Sequence, residues 1–358
     1  AFDSDGQMLY GWVTDDGELA TGDDGWREAK YYCGSWEDGS MKTGWQKITV
    51  YDDADGKDDD YDYWFNFKSN GEKRGLNTGK ENWKSNGKYY SFDERGVMIY
   101  EWAEKASSNN TASVSNWRYY NSPEDGARQT KGWFKVVAPD DDNDNTFKDY
   151  DPSYGSFATT DAADETERWY YADGEGQLYS GVIKKIKGKY YGFYPEGTDK
   201  AGSMLTGLCA LTVDKDGNIV KLWDRDMDSD SLDDALKGEG DFKDFGKSSF
   251  DTLYYFGNNE DSDGALKTGN VTINLDGDSY QFQFSKTGGA EGKGRGVNGI
   301  DDGKYIYKFG QKIKAGSDDK YIVVYADGDT GSTGVNVHKI DTATLRSDYS
   351  ASIGQNKD

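Results

Sequence analysis

The feature that most constrains this chain is a phrase that recurs along it. Two adjacent aromatics are followed by a polar turn containing Gly, and then by a small-residue stretch that closes on Gly-Trp. It is clearest where Tyr31-Tyr32 leads to Met41-Lys42-Thr43-Gly44-Trp45 and where Tyr119-Tyr120 leads to Gly132-Trp133. A plainer form runs from Trp169-Tyr170-Tyr171 through Gly174 and Gly176 to Gly181. Repetition of this kind predicts a stacked array of like units rather than one core around one active site. The functional question becomes what such an array binds.

Aromatic pairs recur at Tyr63-Trp64, Tyr89-Tyr90, Tyr190-Tyr191 and Tyr254-Tyr255 as well. The shortest step, from Tyr170 to Tyr190, is too short for a helix pair and suits one β-hairpin plus a connector. Aromatics favour strands, and Asp-Gly, Asn86-Gly87 and Lys187-Gly188 supply hairpin turns. The expected fold class is all-β: a repetitive β-hairpin solenoid with inserted acidic loops and a β-rich C-terminal module. Its expected segments are Trp-rich hairpin repeats over 1–137, an acidic insertion over 138–167 and further hairpins over 168–211. A second acidic insertion over 212–250 follows, with one short helix at Ser231–Lys237. Degenerate β repeats over 251–325 and a cap or linker over 326–358 complete the chain.

Composition narrows the partners. Apolar residues are only 34% of the 358, yet Tyr, Trp and Phe are 15%, so rings must pack on rings. The formal net charge of −24 argues against nucleic acid and against an anionic membrane surface. No apolar stretch is long enough to span a bilayer. The two cysteines, Cys33 and Cys209, form no CxxC or Cys/His cluster, and a disulfide between them is left open. Ala1-Phe2-Asp3 enters in mid-phrase, which suggests a fragment or processed product.

The phrase from Tyr31-Tyr32 to Gly39-Ser40-Met41-Lys42-Thr43-Gly44-Trp45 resembles the cell-wall-binding repeat family. That family includes choline-binding repeats, glucan-binding repeats and the oligopeptide repeats of clostridial toxins. Gly6-Gln7-Met8-Leu9-Tyr10-Gly11-Trp12 and Gly202-Ser203-Met204-Leu205-Thr206-Gly207 match the same segment. The resemblance implies an extracellular, bacterial-surface or secreted, non-catalytic module that holds cell-wall polymer or glycan. Ligand would sit in aromatic cages between hairpins, with Trp12, Tyr32, Met41, Trp45, Tyr120 and Trp133 as the matching positions. Trp102, which follows Glu101 instead of Gly, matches more loosely. Gly181-Val182, Gly207-Leu208 and Gly269-Asn270 lack the Trp, so cages should concentrate before about residue 170. Ring faces suit a quaternary ammonium or the apolar face of a sugar. The alternative reading is a surface scaffold or filament subunit whose repeats serve self-assembly.

Other chemistry is weaker in the sequence. Asp140, Asp142 and Asp144 have the one-three-five spacing of a calcium loop, and Asp151 falls at position twelve, but Asn145 replaces its Gly. Asp224, Asp226 and Asp228 alternate similarly, so calcium is the one cofactor considered. The single histidine, His338, has no recognisable nucleophile partner, and no nucleophile-elbow, metalloprotease or phosphate-loop motif exists.

Overall fold

The computed structural model describes residues 1–53, 58–104, 113–139, 156–157, 166–288, 292–301, 304–315, 323–327 and 336–340. The described chain is all-β, apart from two short helices and 3-10 turns. It divides into two compact units: residues 1–179 with 196–201, and residues 180–195 with 202–358.

The first unit is a run of antiparallel hairpins. They are β1 (Trp12–Val13) with β2 (Tyr31–Tyr32), β3 (Gly44–Asp52) with β4 (Asp59–Phe67), and β5 (Lys80–Ser85) with β6 (Lys88–Phe92). Then come β7 (Glu101–Glu104) with β8 (Trp117–Tyr120), and β9 (Gly132–Val136) with β10 (Arg168–Ala172). The four-residue helix α1 (Gly25–Glu28) lies inside the first hairpin and buries Trp26. The two-residue turn Asn86-Gly87 takes positive φ at both positions (48° and 83°), as a type I′ hairpin requires.

One arrangement links each unit to the next. The second strand of a hairpin ends on a buried residue that bridges to a long side chain in the following connector: Phe67 to Lys73, Phe92 to Met98, Tyr120 to Arg128, Ala172 to Leu178. That side chain is the third residue of a Gly-x-long triplet: Gly71-Glu72-Lys73, Gly96-Val97-Met98, Gly126-Ala127-Arg128, Gly176-Gln177-Leu178. It then lies on the glycine of the next triplet. Met8 covers Gly39, Met41 covers Gly71, Lys73 covers Gly96, Met98 covers Gly126 and Arg128 covers Gly176, each so closely that a Cβ there would overlap it. Its backbone N–H also donates to the previous hairpin, Lys73 to Lys30 O (2.7 Å), Met98 to Trp64 O (2.8 Å) and Arg128 to Tyr89 O (2.8 Å). Glycine is thus required in the triplet because the previous unit's side chain occupies its Cβ space.

The second unit begins with the hairpin β11 (Val182–Ile186) and β12 (Lys189–Phe193) and then departs from simple hairpins. β13 (Gly207–Val213) is flanked by β14 (Ile219–Asp224) and β15 (Asp251–Phe256) in one three-stranded sheet. Six of the seven residues of β13 are buried, which a lone hairpin strand could not achieve. The stretch 212–250, expected as loops with one helix, is therefore woven into this sheet. It carries β14, the helix α2 (Ser229–Lys237) and a 3-10 turn at Gly240–Phe242. α2 is capped by Asp228, whose carboxylate accepts from Ser231 N at 2.8 Å, and ends on left-handed Gly238. β16 (Gly269–Leu275), β17 (Asp278–Phe284), β18 (Gly299–Asp301), β19 (Tyr305–Lys308) and β20 (Gln311–Lys312) form a five-stranded sheet, and β21 (Val323–Asp327) pairs with β22 (Asn336–Ile340). The Gly-x-long device persists, with Met204 on Gly264 and Leu266 on Gly294. The core here is more aliphatic: Leu208, Ala210, Met227, Leu232 and Leu253 join Phe282 and Phe284.

Each cysteine is free and buried. Burial pushes the Cys209 thiol up to about 12, so it behaves as a small core residue.

Candidate binding site at the aromatic clusters

Cross-strand pairing decides which rings meet. Trp12 pairs with Tyr32 across the first hairpin, and their ring centroids lie 4.9 Å apart. Phe65 from β4 stands edge-on to Trp12 at 5.1 Å, and Phe67 lies 6.2 Å away. This is the cage expected at Trp12 and Tyr32, but the chain fills it itself. The Nζ of Lys73 lies 5.2 Å from the Trp12 centroid and 5.8 Å from that of Phe65. It donates to the carbonyls of Trp26 (2.7 Å) and Arg27 (3.1 Å). Lys73 is only 2% exposed. Burial pushes its ammonium down to about 7, with Asp93 raising and Arg95 lowering it in lesser measure.

Below that cage lies a buried ionic network. Asp52 accepts from Arg27 (2.8 Å), from Arg95 (3.1 Å) and from the Tyr63 hydroxyl (2.7 Å). Arg95 also donates to Asp93 at 2.9 Å, and the guanidiniums of Arg27 and Arg95 each lie 5.5 Å from the Trp26 ring. Burial, and after it the Asp52 carboxylate, raises the Tyr63 hydroxyl far above its usual range. Trp26, Tyr63, Phe65 and Phe67 share one buried cluster with this network.

The next cluster is built alike but stays open. Trp45 meets Trp64 at 6.3 Å, Trp83 at 5.6 Å and Tyr90 at 5.0 Å, all four rings being half-buried. Buried Phe92 forms its floor, 5.6 Å from Trp45. The residue after Lys73, Arg74, lays its guanidinium 4.1 Å from the Trp83 centroid and donates from Nε to Asn66, the cross-strand partner of Trp45, at 3.1 Å. One side of the cluster thus has a resident cation, while Trp45, Trp64 and Tyr90 keep exposed edges.

The other expected positions divide. Trp133 packs against Trp169 (6.4 Å) and Tyr171 (5.2 Å), with Tyr179 stacked on Tyr171 at 5.3 Å. Trp102 is a correction: it is 0% exposed, donates its indole N–H to Val137 O at 2.7 Å, and is enclosed by Tyr119, Phe134, Phe157 and Tyr170. It is a core ring with no face for a ligand. Tyr120 is buried, and its hydroxyl shares a 2.8 Å hydrogen bond with Ser91 Oγ. Met41 reaches onto Gly71, so its thioether joins units. Trp64, Trp83, Tyr90 and Trp169 were not singled out as site residues. Their signal was strand alternation: Trp64 lies two residues before Asn66 and so shares a strand face with the partner of Trp45.

The calcium reading of the second aspartate run is corrected as well. Asp224 ends β14, Asp226 sits at φ 52° against Gly207, and Asp228 caps α2. They do not converge, and no group of three His, Cys, Asp or Glu among the described residues is placed to hold a metal. Asp140, Asp142 and Asp144 lie outside the described residues. No helix among the described residues is long and apolar enough to cross a membrane.

No protein-family model matches the chain, and no curated protein matches it. Solved structures similar to it include choline binding protein F from Streptococcus pneumoniae, determined in the presence of a peptidoglycan analogue. That structure is 17% identical, covers 85% of this chain and 92% of its own, and has a TM-score of 0.28. The modular autolysin LytC from Streptococcus pneumoniae is 17% identical, covers 88% of this chain and 48% of its own, and has a TM-score of 0.34. CbpJ from Streptococcus pneumoniae is 18% identical, covers 87% and 95%, and has a TM-score of 0.23. TM-scores this low leave function to be read from this chain's own residues.

Proposed function

We propose that this chain is an extracellular, non-catalytic module that recognises a cell-wall polymer or glycan, through choline or carbohydrate, on ring faces shared by adjacent hairpins. The observation that supports it most is the half-open cluster of Trp45, Trp64, Trp83 and Tyr90, contributed by two successive hairpins. Four large rings left half in water cost hydrophobic free energy that a folded core would have gained. Rings arranged around a shared gap suit a cation or the C–H face of a sugar, at about 0.5–2 kcal/mol per cation–π contact. The Trp12 cage is excluded from this role because Lys73 fills it.

The test is retention of the whole chain on choline-derivatised and glucan-derivatised resins, with release by the free ligand. Trp45→Ala should weaken retention by about tenfold or more, the loss of one buried ring contact. Trp12→Phe should leave it unchanged. Absence of retention on both resins, or retention indifferent to Trp45→Ala, would overturn the reading.

A further inference from the structure

A second site lies apart from the aromatic faces, within the first unit. Three successive hairpins enclose a pocket of about 310 Å³, at the lower end of small-molecule sites. Its floor is the hydroxyl pair of Ser91 and Tyr120, with Ile99 and Ala103 beside it and the buried carboxylate of Glu104. Its walls are Tyr89, Asn82 and the guanidiniums of Arg118 and Arg128, and its rim is Gly174-Glu175.

Several features show that the walls are held in position. Asn82 has φ 55° at an irregularity in the β5–β6 pairing, where Lys80 and Trp83 are consecutive paired residues. Such irregularities re-aim a side chain. Asn82 Oδ1 accepts from Arg128, whose guanidinium lies 4.8 Å from the Tyr89 centroid. Arg118 donates from one nitrogen to the carbonyls of Ser115 (2.8 Å) and Trp117 (2.7 Å). Both guanidiniums are therefore fixed before any ligand arrives, which lowers the ordering cost of binding.

The chemistry of the lining selects the ligand class. The lining carries two guanidiniums and two carboxylates, so the pocket balances in charge inside a chain of net charge −24. Balance disfavours an anion and a cation alike, since each would meet a like charge. Arg128 already covers a face of Tyr89, so this is not another stacking platform. What remains is an alternation of fixed donors (Arg118, Arg128, the Asn82 amide) and acceptors (Glu104, Glu175) around hydroxyls. That pattern matches vicinal hydroxyl groups, each of which donates once and accepts up to twice.

We propose that this pocket binds one end of a neutral sugar chain by hydrogen bonding, separately from the Trp45 cluster. The experiment is titration of the whole chain with maltotetraose, cellotetraose and tetra-N-acetylchitotetraose, followed by calorimetry and saturation-transfer NMR. Tetragalacturonate and choline serve as charged controls. At least one neutral tetramer should bind, and Glu104→Gln should weaken it about tenfold, as expected for one hydrogen bond to a charged group. Asn82→Gly keeps the positive φ, so it tests the site if Glu104→Gln fails to fold; it too should weaken binding. Trp45→Ala should leave tetramer binding intact while weakening retention on choline resin about tenfold, which separates failure of this site from failure of the aromatic reading. The proposal is overturned if no neutral tetramer binds. It is equally overturned if binding ignores the pocket substitutions, or if tetragalacturonate or choline competes for them.

Discussion

The Trp12 cage and the Trp45 cluster are neighbours in sequence and follow one plan, yet they end in opposite states. In both, a Trp just after a left-handed glycine meets rings from the adjoining strand and the next unit. At Trp12 the connector residue, Lys73, turns its ammonium inward onto the rings and two backbone carbonyls. At Trp45 the following residue, Arg74, lies across Trp83 and leaves the remaining edges in water. An aromatic cage is thus not by itself a ligand site. What decides is whether the chain supplies a cation of its own. In a chain with 66 acidic and 42 basic residues, cations set on rings are withdrawn from the surface charge balance.

The comparison can be broken from its base upward. Asp52→Ala should cost about 3–5 kcal/mol of stability, because the buried Arg95 and the Tyr63 hydroxyl both lose a fully buried partner, while Arg27 keeps Asp24 and Asp53. Urea unfolding should show this, with no matching loss for Asp62→Ala, an exposed carboxylate in the same hairpin. Gly71→Ala should cost about 1–3 kcal/mol, since φ is +84° and Met41 occupies the Cβ space. The same measurement checks it, and Gly87→Ala, at a turn with open space around it, should show only the backbone part of that cost.

Lys73→Met places in the cage the residue that Met8, Met41 and Met98 already are at the same triplet position. At pH 6 the variant should be about 1–3 kcal/mol more stable, a buried charge being replaced by a thioether. The pH dependence has a definite sign. The folded pKa, about 7, lies below the ordinary 10.5, so the unfolded chain binds the extra proton between those values. Wild-type stability should therefore rise from about pH 7 toward pH 10 and level off at its lower value below pH 7. The charged or titratable groups around this site are Asp93 and Arg95, with Arg27, Asp52 and Tyr63 beneath. The last titrates above this window, so thermal melts should show the rise disappearing in Lys73→Met. A rise of the same size in the variant would assign it to the network instead. Arg74→Ala should cost about 0.5–1.5 kcal/mol, the worth of its hydrogen bond to buried Asn66, while altering retention on choline resin more than Lys73→Met does.

How much of this was legible in the sequence depends on distance along the chain. The hairpins were legible because Tyr-Tyr pairs and turns such as Asn86-Gly87 act over a few residues. The Trp-rich first half was legible as the place of the ring clusters. The self-filled cage was not, because Lys73 reaches Trp12 from the connector after the next hairpin, and its only trace is a Lys where Gly39-Ser40-Met41 has Met. Trp102 and Trp45 each follow a positive-φ residue at the start of a strand, Glu101 and Gly44, and the local pattern separates them only by that residue's identity. One is sealed by Phe157 and Tyr170, residues beyond the reach of local pattern, and the other is not. The run from Asp224 to Asp228 misled for the converse reason: strand ends, left-handed turns and helix caps each favour Asp, so three structural roles in a row imitate a metal loop.

The Gly-x-long triplet carries a further implication. The units from Gly39 to Gly126 each bring both halves of their own joint: a side chain to hand forward and a bare glycine to receive one. No unit therefore needs a surface tailored to a particular neighbour. A gene built this way can lengthen its product by copying a segment, and the copy fits wherever it lands. The hairpin bodies are free to drift in length, as the short span from Lys73 to Met98 and the long one from Met204 to Leu266 display. Selection on such a chain acts on the contents of each gap, and the joints look after themselves.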